Sequence, residues 1–180
     1  MHLNYNASVV ITTKDRLAYL IRAVQSILSG CVYPSDIIIV NDGGVEISPS
    51  LFDTNHMVSI KVINNPCSLG GNKARNQGVL AASGDIIFFL DDDDAYTAET
   101  ISEKLRLFES DTQLALVYTG VQFVMSDNLD MVVRTKQPIA DNELSLKHLL
   151  AQGNLIGPTS CAAVRKSAFI AAGMFDEKLG

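Results

Sequence analysis

Residues 86–90 read Ile-Ile-Phe-Phe-Leu, five consecutive apolar residues that stop at four aspartates, Asp91, Asp92, Asp93 and Asp94. An apolar run this short, with no polar position facing water, predicts a strand buried on both faces. A strand buried on both faces needs cover above and below. The acids then fall at the strand's C-terminal end, the edge of an open parallel sheet where ligands bind. Four adjacent carboxylates repel one another, so their neutralisation invites a cation. In an extended chain Asp91 and Asp93 share one side and Asp92 and Asp94 the other, and either pair could share a ligand.

The remaining sequence supplies such layers. Residues 7–12 are apolar and β-branched and predict a first strand. Asp15 is placed to cap the helix that follows, in which Leu17, Leu20, Ile21, Val24, Ile27 and Leu28 form one apolar face ending near Gly30. Residues 37–40 predict a second strand, closed by Asn41-Asp42-Gly43-Gly44, and residues 58–63 a third. A turn-rich loop, 64–71, leads to a helix over 72–82, and Thr97 is placed to cap another running to Phe108. Beyond residue 110 the pattern changes. Strands are expected at 114–119, 121–125 and 131–135, with a turn at Asp127-Asn128. A helix over 144–150, a loop over 153–160, a strand at 161–164 and a last helix at 166–172 complete the chain. The expected fold is therefore α/β, with helices on both faces of a mostly parallel, mixed sheet.

Composition limits the function. The chain of 180 residues suffices for one compact domain, and its net charge of −6 speaks against a nucleic-acid binder. No apolar run approaches the roughly 20 residues of a membrane span, and the N-terminus lacks the features of a signal peptide. Cys31, Cys67 and Cys161 suit free thiols in a reducing compartment, and the scattered His2, His56 and His148 read as surface residues.

Hard carboxylate oxygens suit Mg²⁺ or Mn²⁺, and Mg²⁺ held by one or two acids completes its shell with water and substrate phosphate. A diphosphate ligand follows from that preference; a solvated acidic turn is the plain alternative. There is no P-loop and no dinucleotide fingerprint, since the first strand–helix turn lacks glycine. Asp42 could accept hydrogen bonds from a base or ribose, or could simply form an Asx-turn with Gly43 and Gly44. Arg75 lies early in a helix, where an anion would meet both its guanidinium and the helix dipole; a surface ion pair is its alternative role.

These segments together resemble an inverting nucleotide-sugar glycosyltransferase of family 2 with the GT-A fold. Ser8-Val9-Val10-Ile11-Thr12-Thr13-Lys14-Asp15-Arg16 is similar to the family's opening strand and its Thr-Tyr-Asn-Arg turn. Ile38-Ile39-Val40-Asn41-Asp42-Gly43-Gly44 resembles V-[DN]-D-G-S, and Lys73-Ala74-Arg75-Asn76-Gln77-Gly78 resembles A-R-N-x-G. Residues 84–94 resemble G-D-x-[IL]-x-F-L-D-x-D-D, and Gly173-Met174-Phe175-Asp176-Glu177 the late G-x-F-D-E. Each segment alone is weak; five in the same order and spacing are specific.

The resemblance implies roles. Thr12, Thr13 and Asp15 would line the base and ribose pocket, Asp42 would contact the base, and Arg75 would help hold the nucleotide. Asp92 would touch the ribose region, Asp93 would carry Mn²⁺ or Mg²⁺, and Asp91 would serve either purpose, while Asp94 is expected to be structural. The donor would be a nucleotide-diphosphate sugar, with UDP the family's commonest nucleotide, and the acceptor a glycan or lipid-linked hydroxyl. Lys14 stands where the family often stacks an aromatic residue on the base. The family's general base is an acid beyond the G-x-F-D-E segment, so it is expected beyond Gly180. Residues 1–180 thus read as one GT-A-like domain truncated at its C-terminus, holding the donor half of the site. The expected location is the cytoplasm or the inner membrane face. A non-catalytic nucleotide-binding module of the same fold, or a nucleotidyltransferase, are the alternatives.

Overall fold

The computed structural model describes residues 5–52, 58–126, 128–139, 154 and 156–179. A six-stranded sheet dominates it. Its strands are β1 (Ala7–Thr13), β2 (Asp36–Asn41), β3 (Ser59–Asn64), β4 (Ile86–Asp91), β5 (Leu116–Tyr118) and β8 (Ala162–Arg165), in the order β3-β2-β1-β4-β8-β5. The pairs β3–β2, β2–β1 and β1–β4 are parallel, whereas β8 runs antiparallel to both β4 and β5. The sheet is mostly parallel and mixed, as the sequence predicts.

Side chains of the central strands alternate between two apolar layers because successive residues of a strand point to opposite faces. Val9, Ile11, Ile37, Ile39, Phe88 and Leu90 pack with α1 (Leu17–Leu28) and α3 (Thr100–Ser110). Val10, Ile38, Val40, Ile87 and Phe89 face α2 (Gly71–Ala81) and α4 (Lys166–Ala171), with Phe175 packed edge-on and Phe169 tilted against Phe89. Both faces are covered, so β1, β2 and β4 need no polar side, and their apolar runs follow from that.

Several local expectations give way to tertiary contacts. Asp15 does not cap α1. Arg16 occupies the cap position without a side-chain cap bond, and Asp15, at φ 55°, accepts from the Val45 amide at 3.0 Å. Thr97 does not cap α3 either: Glu99 precedes that helix, and the Thr97 and Thr100 hydroxyls lie 3.0 Å apart. The hairpin over 121–135 forms, but as a separate two-stranded ribbon of β6 (Val121–Met125) and β7 (Asn128–Lys136) rather than as part of the main sheet. Asp127, the helix expected over 144–150 and the three histidines lie outside the described residues. The three cysteines are free thiols. No helix among the described residues is long and apolar enough to cross a membrane.

Lys104 was not singled out by the sequence, yet it is fully buried on α3. Its ammonium donates to the Cys161 carbonyl at 2.6 Å and lies 5.8 Å from the ring centres of both Phe88 and Tyr96. This ties α3 to the short 3₁₀ turn Thr159–Cys161, which carries two side chains of the site.

Candidate functional site

The C-terminal ends of β1, β2 and β4 stand side by side because the register pairs Thr12 with Val40 and with Asp91. The loops leaving these strands surround a cleft of about 380 Å³ lined by Thr12, Thr13, Lys14, Arg16, Asp42, Gly71, Arg75, Asp91 and Asp93. The start of α2 faces it, so the partial positive charge of that helix end is directed at the cleft.

The four aspartates divide. After β4 the chain turns, with the Asp94 amide donating to the Asp91 carbonyl at 3.0 Å. Asp91 and Asp93 line the cleft. The Asp91 carboxylate takes Arg75 Nη2 at 2.7 Å and the Thr159 hydroxyl at 3.1 Å, while its amide donates to Ser160 Oγ at 3.0 Å. Asp93 is half exposed and meets Arg16 Nη1 at 2.9 Å. Asp94 accepts from the Ser160 hydroxyl at 2.5 Å, and burial raises its carboxyl above the usual range.

Asp92, expected to touch the ribose region, is completely buried beneath the turn and is not among the cleft-lining residues. Thr13 Oγ1 donates to it at 2.6 Å, and Arg16 approaches through Nε at 3.1 Å and Nη2 at 2.5 Å. Burial pushes its carboxyl up, against the lowering influence of Thr13 and Arg16.

Asp42 lines the cleft, but four donors of the 65–70 loop already occupy its carboxylate: the Leu69 amide at 2.8 Å, the Gly70 amide at 3.0 Å, the Ser68 hydroxyl at 2.8 Å and Asn65 Nδ2 at 3.2 Å. Burial alone would raise its carboxyl; these hydrogen bonds outweigh it and hold the group below the usual range. The alternative role of Asp42, an Asx-turn with Gly43 and Gly44, is not the one formed: its carboxylate is held by the 65–70 loop, and the Gly44 amide donates instead to Asn41 Oδ1 at 3.3 Å. Gly43, at φ 84°, is needed here because a Cβ would lie 2.3 Å from the Ser68 nitrogen. Asp15 braces the same β2 turn through Val45 and is not among the cleft-lining residues.

The structure therefore brings Thr12, Thr13, Asp42, Arg75, Asp91 and Asp93 to one cleft; the exposed Asp15 and the buried Asp92 are not among its lining residues. Sequence reading missed Arg16, Arg22, Thr159 and Ser160. Arg22 donates to the Asp93 carbonyl and to the Ser126 carbonyl, each at 3.0 Å. Arg16 had a signal in the opening motif; the other three act across long stretches of chain and had none. Among the described residues no group of three or more His, Cys, Asp or Glu side chains forms a closed metal cage. A half-exposed Asp93 beside Asp91 in an open cleft instead fits a hard divalent ion that completes its shell with ligand oxygens.

An uncharacterised glycosyltransferase of Haemophilus influenzae is 25% identical over 166 residues, covering 92% of this chain and 55% of that protein. The crystal structure of S. aureus TarS 1–349 in complex with UDP superposes with a TM-score of 0.73 at 16% identity, over 97% of this chain and 51% of that one. The mannosyltransferase PcManGT from Pyrobaculum calidifontis, in complex with GDP-Man and Mn²⁺, superposes with a TM-score of 0.70 at 16% identity, over 98% and 49%. The chain thus spans about half the length of these relatives, and it shares the GT-A fold with the two solved structures. The model of the glycosyl transferase family 2 matches residues 8–173, and the chain belongs to that family.

Proposed function

We propose that this domain binds the nucleotide-diphosphate sugar for an inverting glycosyl transfer to an acceptor hydroxyl of a glycan or lipid-linked saccharide. The observation that carries the reading is the convergence of Asp91, Asp93 and Arg75 on one cleft at the C-terminal edge of β1, β2 and β4, beside the start of α2. Arg75 and the helix start offer positive charge to the diphosphate. Thr12, Thr13 and Lys14 line the rest of the wall and would meet the nucleoside. Asp42 acts indirectly, fixing the 65–70 loop that leads into α2.

Asp93, with Asp91 beside it, would hold Mn²⁺ or Mg²⁺; the neighbour bound to GDP-Man and Mn²⁺ supports this choice. The ion, when bound, supplies Lewis acidity that stabilises the leaving nucleoside diphosphate. Arg75 and Thr159 orient Asp91 from opposite sides, and Ser160 links the Asp91 amide to Asp94, so the turn keeps its shape when a ligand arrives. The reading assigns the acids of this turn to the donor side and none of them to general-base catalysis. UDP-sugars are the first choice of donor, since a structural neighbour binds UDP, with GDP-sugars second.

Calorimetric titration of UDP, GDP and dTDP, with and without Mn²⁺, tests the reading. Metal-dependent binding of one of them is expected; no metal-dependent binding by any would overturn it.

A further inference from the structure

Three of the four acids of the β4 turn face cations already built into the fold. Arg75 meets Asp91 at 2.7 Å, and Arg16 spans Asp92 and Asp93. Arg16 is the unusual member of this set. Two of its nitrogens, Nε and Nη2, lie on Asp92, which has no exposed surface, and the third, Nη1, lies 2.9 Å from Oδ2 of the half-exposed Asp93.

This geometry restricts what Arg16 can do. Swinging the guanidinium away would leave Asp92 as a buried charge without its partner, which is strongly unfavourable. Arg16 is therefore anchored, and the hydrogen bond to Asp93 is the weaker, solvent-screened end of its bridge. A divalent cation at Asp93 binds a carboxylate that already holds Nη1 on Oδ2, and so meets a fixed positive charge at contact range. A diphosphate reverses that balance, since its negative charge offsets the guanidinium and its oxygens complete the ion's shell.

We propose that Arg16 is a built-in counter-cation that suppresses metal binding by the empty cleft and so couples metal loading to the arrival of the nucleoside diphosphate. This rests on the assignment of Asp93 to the metal. Asp92 is the anchor of the device: its burial keeps the guanidinium in place when Asp93 is surrendered.

The test is Mn²⁺ binding followed by electron paramagnetic resonance of the free ion, with and without UDP, GDP or dTDP. Without nucleotide, Arg16→Gln is expected to bind Mn²⁺ at least tenfold more tightly than the unaltered protein. The same charge removed at Lys73 by Lys73→Gln, outside the cleft lining, should change it less than twofold. Adding Asp93→Asn should abolish the gain. Should Arg16→Gln fail to fold, Arg16→Gln/Asp92→Asn removes both charges of the buried pair and is expected to give a smaller gain of the same sign. Unchanged nucleotide-free Mn²⁺ affinity in the folded Arg16 variant, or a gain that survives Asp93→Asn, would overturn the proposal. Failure of the donor-site reading looks different: the unaltered protein would then take up no Mn²⁺ with any of the three nucleotides.

Discussion

Arg16 and Asp92 are 76 positions apart in the chain and form a two-pronged pair in which the aspartate is completely enclosed and the arginine half exposed. The pair fastens the β1–α1 turn to the β4 turn and so fixes the width of the cleft between them. Thr13, one residue past Thr12 on the cleft wall, joins it through the same carboxylate. Replacing Asp92 by Ala leaves the buried Thr13 hydroxyl without its acceptor, while the half-exposed Arg16 keeps Asp93. The expected loss of stability is about 1–3 kcal/mol, measured by urea unfolding, with Asp92→Asn losing less because it still accepts from Thr13.

Asp93 carries no comparable burden. Its exposed ion pair with Arg16 contributes little to folding, so Asp93→Asn should alter stability by less than about 0.5 kcal/mol. The same substitution should remove the Mn²⁺ dependence of nucleotide binding. A variant that keeps that dependence would show that Asp91 alone, or an acid elsewhere, holds the ion.

Gly78 faces Val10 across the contact between α2 and β1, and a Cβ there would lie 2.3 Å from Val10 Cγ1. Gly78→Ala should therefore cost about 1–3 kcal/mol despite the better helix propensity of alanine. Gly78→Ala/Val10→Ala, which removes the obstructing methyls, should recover part of that cost in thermal unfolding.

Acid pH should loosen the β2 turn and the opposite end of the sheet together. The Asp42 and Asp36 carboxyls both lie below their ordinary value of 3.8 in the folded chain. For Asp36, burial is outweighed by hydrogen bonds from Ser8, Lys61 and Ser83. A depressed folded value means that the unfolded chain binds protons first as pH falls. These groups therefore stabilise the fold above about pH 4 and stop doing so as pH drops through their folded values. Asp42→Asn and Asp36→Asn should each flatten the acid limb of the stability curve, as followed by circular dichroism.

Lys104 gives the opposite limb. Burial lowers its ammonium from 10.5 to about 8. Between those values the unfolded chain holds a proton that the folded chain has released, so this group's contribution to stability rises with pH from about 8 to about 10.5. The total is about 3 kcal/mol. Cys161 and Tyr96, whose folded values are raised by burial, act in the other direction. The difference between the unaltered protein and Lys104→Met across this range isolates the lysine, and a flat difference would show that Lys104 stays charged.

The sequence by itself determined the strand–helix alternation, the apolar strands of the central sheet and the placing of the aspartates at the end of β4. These are properties of local periodicity and turn chemistry, which neighbouring residues write into the chain. It also placed Asp42, Arg75, Asp91 and Asp93 at strand ends and at a helix start, where a parallel register brings them to one edge. Only the tertiary structure decided which acid faces the cleft and which is walled in, because that depends on Arg16 and Thr13, more than 70 residues away. The same holds for the enclosure of Asp42 by the 65–70 loop, for the diversion of Asp15 from helix cap to brace of the β2 turn, and for the insertion of β8 between β4 and β5. The bonding partner of a polar side chain is a long-range property: burial excludes water as an alternative partner, so whichever group the fold brings near must satisfy it.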